Sequence, residues 1–297
     1  MSARAVPLWD GRDLLELLAL TPEGGDRFVT RLSDPNANSR AYGGQVLAQA
    51  LMAAGQTVPR DRVPTVVQFM FLQGTQVDEA VVMDVRKLQD GKRFSSRHVS
   101  GTQSGGSRIV LDGQFTFATP MTGPAHHMAP TAPLPDPETQ PAPKDLPMAW
   151  RQAVLDALGY LIEVREVLDF RLNDPPDRLI PDAKHPHFQF WMRVRQPLPD
   201  DPLVQAAAFA FLSDWWINYV IAGPHLDTAL AQGGVYVATL NHSIWFHQPF
   251  NPNEWLHFDT VSPQAGRGRG LVVARVHTRD GRLVASVTQE ALLTDKG

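Results

Sequence analysis

Hydrophobic and polar positions along this chain follow two periods, a helical one and the period of two expected of strands, and the same order of segments occurs twice. An apolar helix is predicted near Leu14 to Leu20 and, after an irregular stretch, a second helix rich in small residues opens at Gly43-Gly44-Gln45-Val46-Leu47. Four segments rich in β-branched and aromatic residues follow, Val63 to Leu72, Glu79 to Leu88, Phe94 to Gln103 and Ser107 to Phe117. Glycine or aspartate turn signals separate them, so they read as antiparallel strands. The order then returns, with an apolar stretch from Leu203 to Ala222 and strands near Gly234 to Gln248, Glu254 to Val261, Arg269 to Thr278 and Arg282 to Leu293.

At a constant offset of 175, Phe71 meets Phe246, Gln73 meets Gln248, Glu79 meets Glu254, Asp84 meets Asp259, Gly91 meets Gly266, Gly106 meets Gly281 and Gln114 meets Gln289, with no gap required. The pattern predicts a tandem duplication of one α+β unit. Each apolar helix is too hydrophobic all round for a surface and is expected to be wrapped by its own curved antiparallel sheet. Between the copies prolines crowd from Pro120 to Pro147, where neither helix nor central strand can continue. The expected division is an N-terminal domain over 1–119, a Pro-rich linker over 120–148 and a C-terminal domain over 149–297.

Composition narrows the chemistry. A length of 297 residues suits two domains, and a formal net charge of -4 gives no electrostatic footprint for nucleic acid. The absence of cysteine excludes thiol nucleophiles, disulfides and thiolate metal sites, leaving oxygen and nitrogen chemistry. No secretory h-region and no run of apolar residues long enough to span a membrane is visible, so a cytoplasmic location is expected. His242 and His247 lie five apart on a strand, and His185 and His187 flank a proline; neither arrangement suits a metal, and neither metal nor cofactor is expected. Phosphate-loop, metalloprotease and Gly-x-Ser-x-Gly patterns are missing, and Gly266-Arg-Gly-Arg-Gly270 reads as a turn.

Three polar residues stand out. Asp214 is the only formally charged side chain from Leu203 through Leu226, beside Trp215 and Trp216. A helix N-cap and a catalytic base both account for it, and its pKa can move either way, up by apolar burial or down by N–H donors. Gln289 shares a strand face with Leu283, Ala285, Val287 and Ala291, so its amide needs partners inside an apolar layer. Thr239 is a weaker signal, since threonine is a common strand former. At the same offset the first copy carries Ser39, Pro64 and a solvated Gln114, so any such site exists once per chain.

Gly43-Gly44-Gln45-Val46, Asp90-Gly91 with Phe94-Ser95, Ser213-Asp214, Asn241-His242-Ser243-Ile244-Trp245-Phe246-His247-Gln248-Pro249-Phe250 and Asp280-Gly281 through Gln289-Glu290 together resemble the TesB-type acyl-CoA thioesterase II family over nearly the whole chain. The resemblance implies a double hotdog fold and hydrolysis of acyl-CoA to a carboxylic acid and CoA. It also implies a water-activating set of Asp214, Thr239 and Gln289, substrate contacts at Gly43, Gly44, Gln45 and Trp215, and assembly into homo-oligomers, dimers or tetramers. Gln68, Gln73-Gly74-Thr75 and Asn241 depart from the family pattern and are expected to alter substrate preference or rate. A hotdog enoyl-CoA hydratase and a non-catalytic acyl-CoA binding module are the alternatives. The hydratase pattern needs a paired histidine that Trp215-Trp-Ile-Asn-Tyr-Val220 does not supply.

Overall fold

A computed structural model of the chain describes residues 4–36, 38–158, 165–173, 186–225 and 234–295; His185 and Leu226 lie outside them. Within these residues the first half runs α1 (Leu14–Leu18), β1 (Leu20–Gly24), β2 (Arg27–Thr30), α2 (Gly43–Gly55), β3 (Val63–Phe71), β4 (Val82–Asp90), β5 (Phe94–Gln103) and β6 (Arg108–Ala118). After α3 (Met148–Leu158) come β7 (Leu168–Leu172), β8 (His187–Val194), α4 (Pro202–Ser213), α5 (Tyr219–Ala222), β9 (Val235–Phe246), β10 (Leu256–Gly266), β11 (Arg269–Thr278) and β12 (Leu283–Asp295). The turn expected at Gly266 to Gly270 is a tight hairpin, with Arg267 and Gly268 in the left-handed region.

The strands form one sheet in the order β1-β2-β4-β5-β6-β3-β9-β12-β11-β10-β8-β7. Read outward from the β3–β9 junction, the two halves repeat each other strand for strand, which is the double hotdog expected. Two expectations change. The two helix-wrapping sheets are continuous at one edge, because β3 pairs with β9 along Val66 to Met70 and joins the halves into one. Among the described residues each half also has six strands rather than four, since β1 and β2 occupy a stretch read as irregular and β7 and β8 precede the second helix.

α2 and α4 lie against one face of the sheet and against each other. They run antiparallel: Gly44 approaches Phe211 near the end of α4, and Gly55 approaches Leu203 near its start. In α2 every residue but Gly43 and Met52 is buried, and α4 buries Ala206 through Ser213 without a break, as their all-round apolar sequences require. The Tyr42 hydroxyl donates to the Phe211 carbonyl at 2.8 Å and ties the two helix ends together. Phe209, Phe258 and Phe190 form a stacked aromatic row beneath α4, each side chain worth about 1.5–3 kcal/mol of burial.

The Pro-rich segment crosses the opposite face of the second half. Trp255 donates to Glu138 at 2.8 Å, Arg279 pairs with Asp136 at 2.8 Å, and His277 Nε2 meets the Met128 carbonyl at 3.2 Å. Below it Asp259 is held by His187, Gln189 and Arg275, which keep its carboxyl far below the usual range against the cost of burial.

The register refines the repeat. β3 and β9, like β5 and β11, superpose at the offset of 175, down to a shared bulge at Thr65 and Leu240. β6 and β12 do not: Gln68 pairs with Gln114, whereas Ser243 pairs with Thr288. One residue fewer in the β11–β12 turn shifts the strand by one place, and a shift of one exchanges its faces. Thr288 is therefore the counterpart of Gln114, and Phe115 that of Gln289. Accordingly Gln114 is exposed, while Phe115 and Gln289 are both fully buried.

Candidate active site

The site lies where the start of α2, the end of α4 and strands β9 and β12 meet. Asp214 is the residue that closes α4 at its C-terminal end, so it is not an N-cap of the segment it belongs to. Its carboxylate instead reaches the N-terminus of α2 in the other half and accepts the backbone N–H of Gly44. That helix has no side-chain cap of its own, and its free N–H groups and dipole favour an anion there. Gly43 makes the approach possible, because a Cβ on it would stand 2.5 Å from Asp214 Oδ2.

Thr239 and Gln289 project toward the same carboxylate from β9 and β12. Thr239 Oγ1 donates to Asp214 Oδ1 at 3.4 Å, and Gln289 Nε2 donates to Thr239 Oγ1 at 3.0 Å. Gln289 also hydrogen-bonds Asp214. The bulge at Leu240 lets Thr239 and His242 share the inner face, although they are three apart.

Asp214 has a side chain only 6% exposed, and burial pushes its pKa up to about 7, opposed by Gln289, the Gly44 N–H, Thr239 and Arg165. Such a carboxyl is poised for proton transfer near neutral pH. The acid limb of kcat/KM is expected near pH 7, activity falling as Asp214 protonates; a profile flat from pH 5 to 8 would remove it as the base.

Several neighbours were not assigned to the site from sequence. His242, fully buried, contacts Gln289 Oε1 through Nδ1 and Ser213 Oγ through Nε2 at 3.0 Å, and Nδ1 lies 3.9 Å from Asp214 Oδ1. Burial lowers its pKa to about 4, so the ring is neutral. Asn218 bonds both Thr239 and Gln289. Arg165 pairs with Asp34 and stands 4.1 Å from the Tyr42 ring centroid and 4.5 Å from that of Trp215, bracing Trp215 beside the site. The one available signal was the inward alternation of His242; the others depend on long-range contacts.

Gly43 and Gly44 therefore adjoin Asp214, and Trp215 follows it in the chain. Gln45 is engaged elsewhere: its amide accepts the Asp34 N–H at 2.6 Å and donates to the Leu32 carbonyl and to Gln49. Of the departures, Gln68 is exposed, Gln73 accepts from Arg108 at 2.8 Å, and Asn241 pairs with Glu290. Arg108 and Glu290 lie outside the Asp214 cluster. Among the described residues no group of three or more His, Cys, Asp or Glu side chains has metal-binding geometry.

Comparison with known proteins agrees with this architecture. Residues 32–118 match the family model of the acyl-CoA thioesterase N-terminal domain, and residues 131–293 that of the C-terminal domain. The chain is 30% identical over 287 residues to Acyl-CoA thioesterase 2 of Haemophilus influenzae, covering 95% of this chain and 96% of that protein. It is 26% identical to Acyl-coenzyme A thioesterase 8 of Mus musculus, covering 93% and 87%. Among solved structures, the acyl-CoA thioesterase II TesB2 of Mycobacterium marinum superposes with a TM-score of 0.77 at 29% identity, covering 96% of this chain and 99% of that one. A hot dog fold protein from Alicyclobacillus acidocaldarius, 17% identical with a TM-score of 0.71 and covering 95% and 98%, shares the fold. The chain belongs to the TesB-type acyl-CoA thioesterase II family, and it is a thioester hydrolase of double hotdog architecture.

Proposed function

We propose that the enzyme hydrolyses acyl-CoA with a water molecule positioned by Asp214, Thr239 and Gln289. The supporting observation is a nearly buried carboxylate whose pKa stands at about 7, adjoined by a hydroxyl and an amide. Asp214 takes a proton as the water oxygen attacks the thioester carbonyl carbon; the C–S bond then breaks, and the thiolate leaves as CoA thiol with that proton. Thr239 and Gln289 fix the water's position, and the first-turn N–H groups of α2 other than that of Gly44, which Asp214 holds, serve the developing oxyanion. Trp215 lies on the acyl side, and Gln45 supports the site through the 32–34 segment.

The counterparts in the first half support a single site per chain. Gln56 follows α2 as Asp214 follows α4, Pro64 matches Thr239, and Phe115 matches Gln289. No acid, hydroxyl or inward amide stands there. In this reading 1–119 and 149–297 are the two hotdog domains and 120–148 their linker, and the protein is a cytoplasmic homo-oligomer. Among the described residues no helix is long and apolar enough to cross a membrane.

Release of CoA thiol from short-, medium- and long-chain acyl-CoAs tests the reading. Release of thiol with equimolar free acid is expected for at least one chain length. Binding of the whole panel with no release would make the chain an acyl-CoA binding module instead.

A further inference from the structure

The chain leaves Asp214 by an unusual path. Trp216 has a left-handed backbone with φ of 63°, a conformation that costs a bulky side chain about 1–2 kcal/mol. Its indole packs against Phe170, Phe188 and Tyr219, which hold it in place. The turn brings Asn218 back over the strands, where its Nδ2 donates to Thr239 Oγ1 at 3.1 Å and its Oδ1 accepts from Gln289 Nε2 at 2.8 Å.

Hydrogen positions follow from the partners. The Asp214 carboxylate requires donors, so Gln289 presents Nε2 to it and Oε1 to His242. Neutral His242 must then carry its proton on Nδ1, with Nε2 facing the Ser213 hydroxyl, whose one proton is shared between that nitrogen and the Ala210 carbonyl. Gln289 Nε2 fixes the Asn218 amide in turn, since the flipped amide would set two N–H groups against each other. Gln289 Nε2 has two protons for three acceptors, Asn218 Oδ1, Thr239 Oγ1 and Asp214, so Asn218 Nδ2 is the donor that Thr239 Oγ1 holds outright; accepting there turns the single Thr239 proton toward Asp214 and leaves one lone pair of the hydroxyl for the water.

We propose that Asn218 is a positioning residue for hydrolysis, orienting the Thr239 hydroxyl toward Asp214 and fixing the Gln289 amide that together seat the water. The inference rests on the proposed roles of Asp214, Thr239 and Gln289. The titratable groups around Asp214 are His242 on β9, Tyr42 at the start of α2, and Arg165 with Asp34 behind Tyr42. Asn218 reaches this set through its hydrogen bonds to Thr239 and Gln289.

The test compares kcat, KM and the acid limb of the pH profile for N218A, N218D and D214N, with folding followed by thermal unfolding. N218A is expected to lose about 10- to 100-fold in kcat with KM within about twofold. Its acid limb should move up, because Asp214 no longer receives a committed Thr239 proton. N218D keeps shape and still accepts from Gln289, but cannot donate to Thr239 and adds a like charge; its limb should move up further. It decides the matter if N218A does not fold. Loss confined to KM, or a lower kcat with an unmoved acid limb in both variants, overturns the proposal. If D214N itself retains parental activity, the underlying reading fails; if D214N is inactive while both Asn218 variants match the parent, only the present inference fails.

Discussion

Asp214→Asn is expected to lower kcat for acyl-CoA hydrolysis by about 10²- to 10⁴-fold while KM changes little, because shape is kept and only the proton acceptor is lost. Thiol release at saturating substrate measures it, and a variant within threefold of the parent would refute the mechanism. The same substitution should stabilise the fold at neutral and alkaline pH. Asp214 has a folded pKa of about 7 against an ordinary value of 3.8, so between those values the unfolded chain ionises while the folded one stays protonated. Stability is unaffected by this group below about pH 4, falls as pH rises toward 7, and is level above it. The full cost is about 4 kcal/mol, the expected strain of a buried base. Urea unfolding of the parent at pH 5 and pH 8 should differ accordingly, and in Asp214→Asn that difference should shrink.

Gly44→Val is expected to destabilise the protein by about 3 kcal/mol or more and to lower activity as well. A Cβ at Gly44 would overlap the Phe211 carbonyl oxygen and stand 2.6 Å from the Tyr42 ring. The carbonyl belongs to the backbone of α4 and cannot rotate away, so α2 and α4 would have to separate. That movement withdraws the Gly44 N–H from Asp214 and weakens the Tyr42 bond to Phe211. Gly123, with nothing within 4 Å of its Cβ position, is the control: Gly123→Ala should stay within about 0.5 kcal/mol of the parent. Equal urea midpoints for the Gly44 and Gly123 variants would show that the helices adjust without cost.

What sequence reading recovered follows from how local each signal is. β3 through β6 and β9 through β12 were legible because alternation and glycine turns are written within each strand. β1 was not, since Leu20 to Gly24 is mostly exposed and carries no alternating apolar face. β2, with four residues, is too short to display a period. Asp214 stood out because charge is rare in an apolar run, and Gln289 because an amide had to face an apolar layer. Their convergence with Thr239 came through family resemblance, for the distance between α4 and β12 is set by long-range packing. Asn218 escaped notice because a left-handed Trp216 delivers it, and nothing in Trp215-Trp216-Ile217 marks that turn. His242 was weighed only as a metal ligand; its partner across the sheet, Gln289, depends on a register no single strand reveals.

The shortened turn between β11 and β12 bears on how duplicated chains diverge. Point substitutions alter one side chain at a time, but losing one residue from a hairpin exchanges the inner and outer sets of an entire strand. Gln114 and Gln289 match when the chain is simply counted, yet one meets solvent and the other the buried Asp214 carboxylate. A polar residue already present on the outside of a strand can thus reach an interior by a change of length alone. Residue-by-residue identity between the copies of such a protein overstates their functional equivalence wherever a turn has changed length.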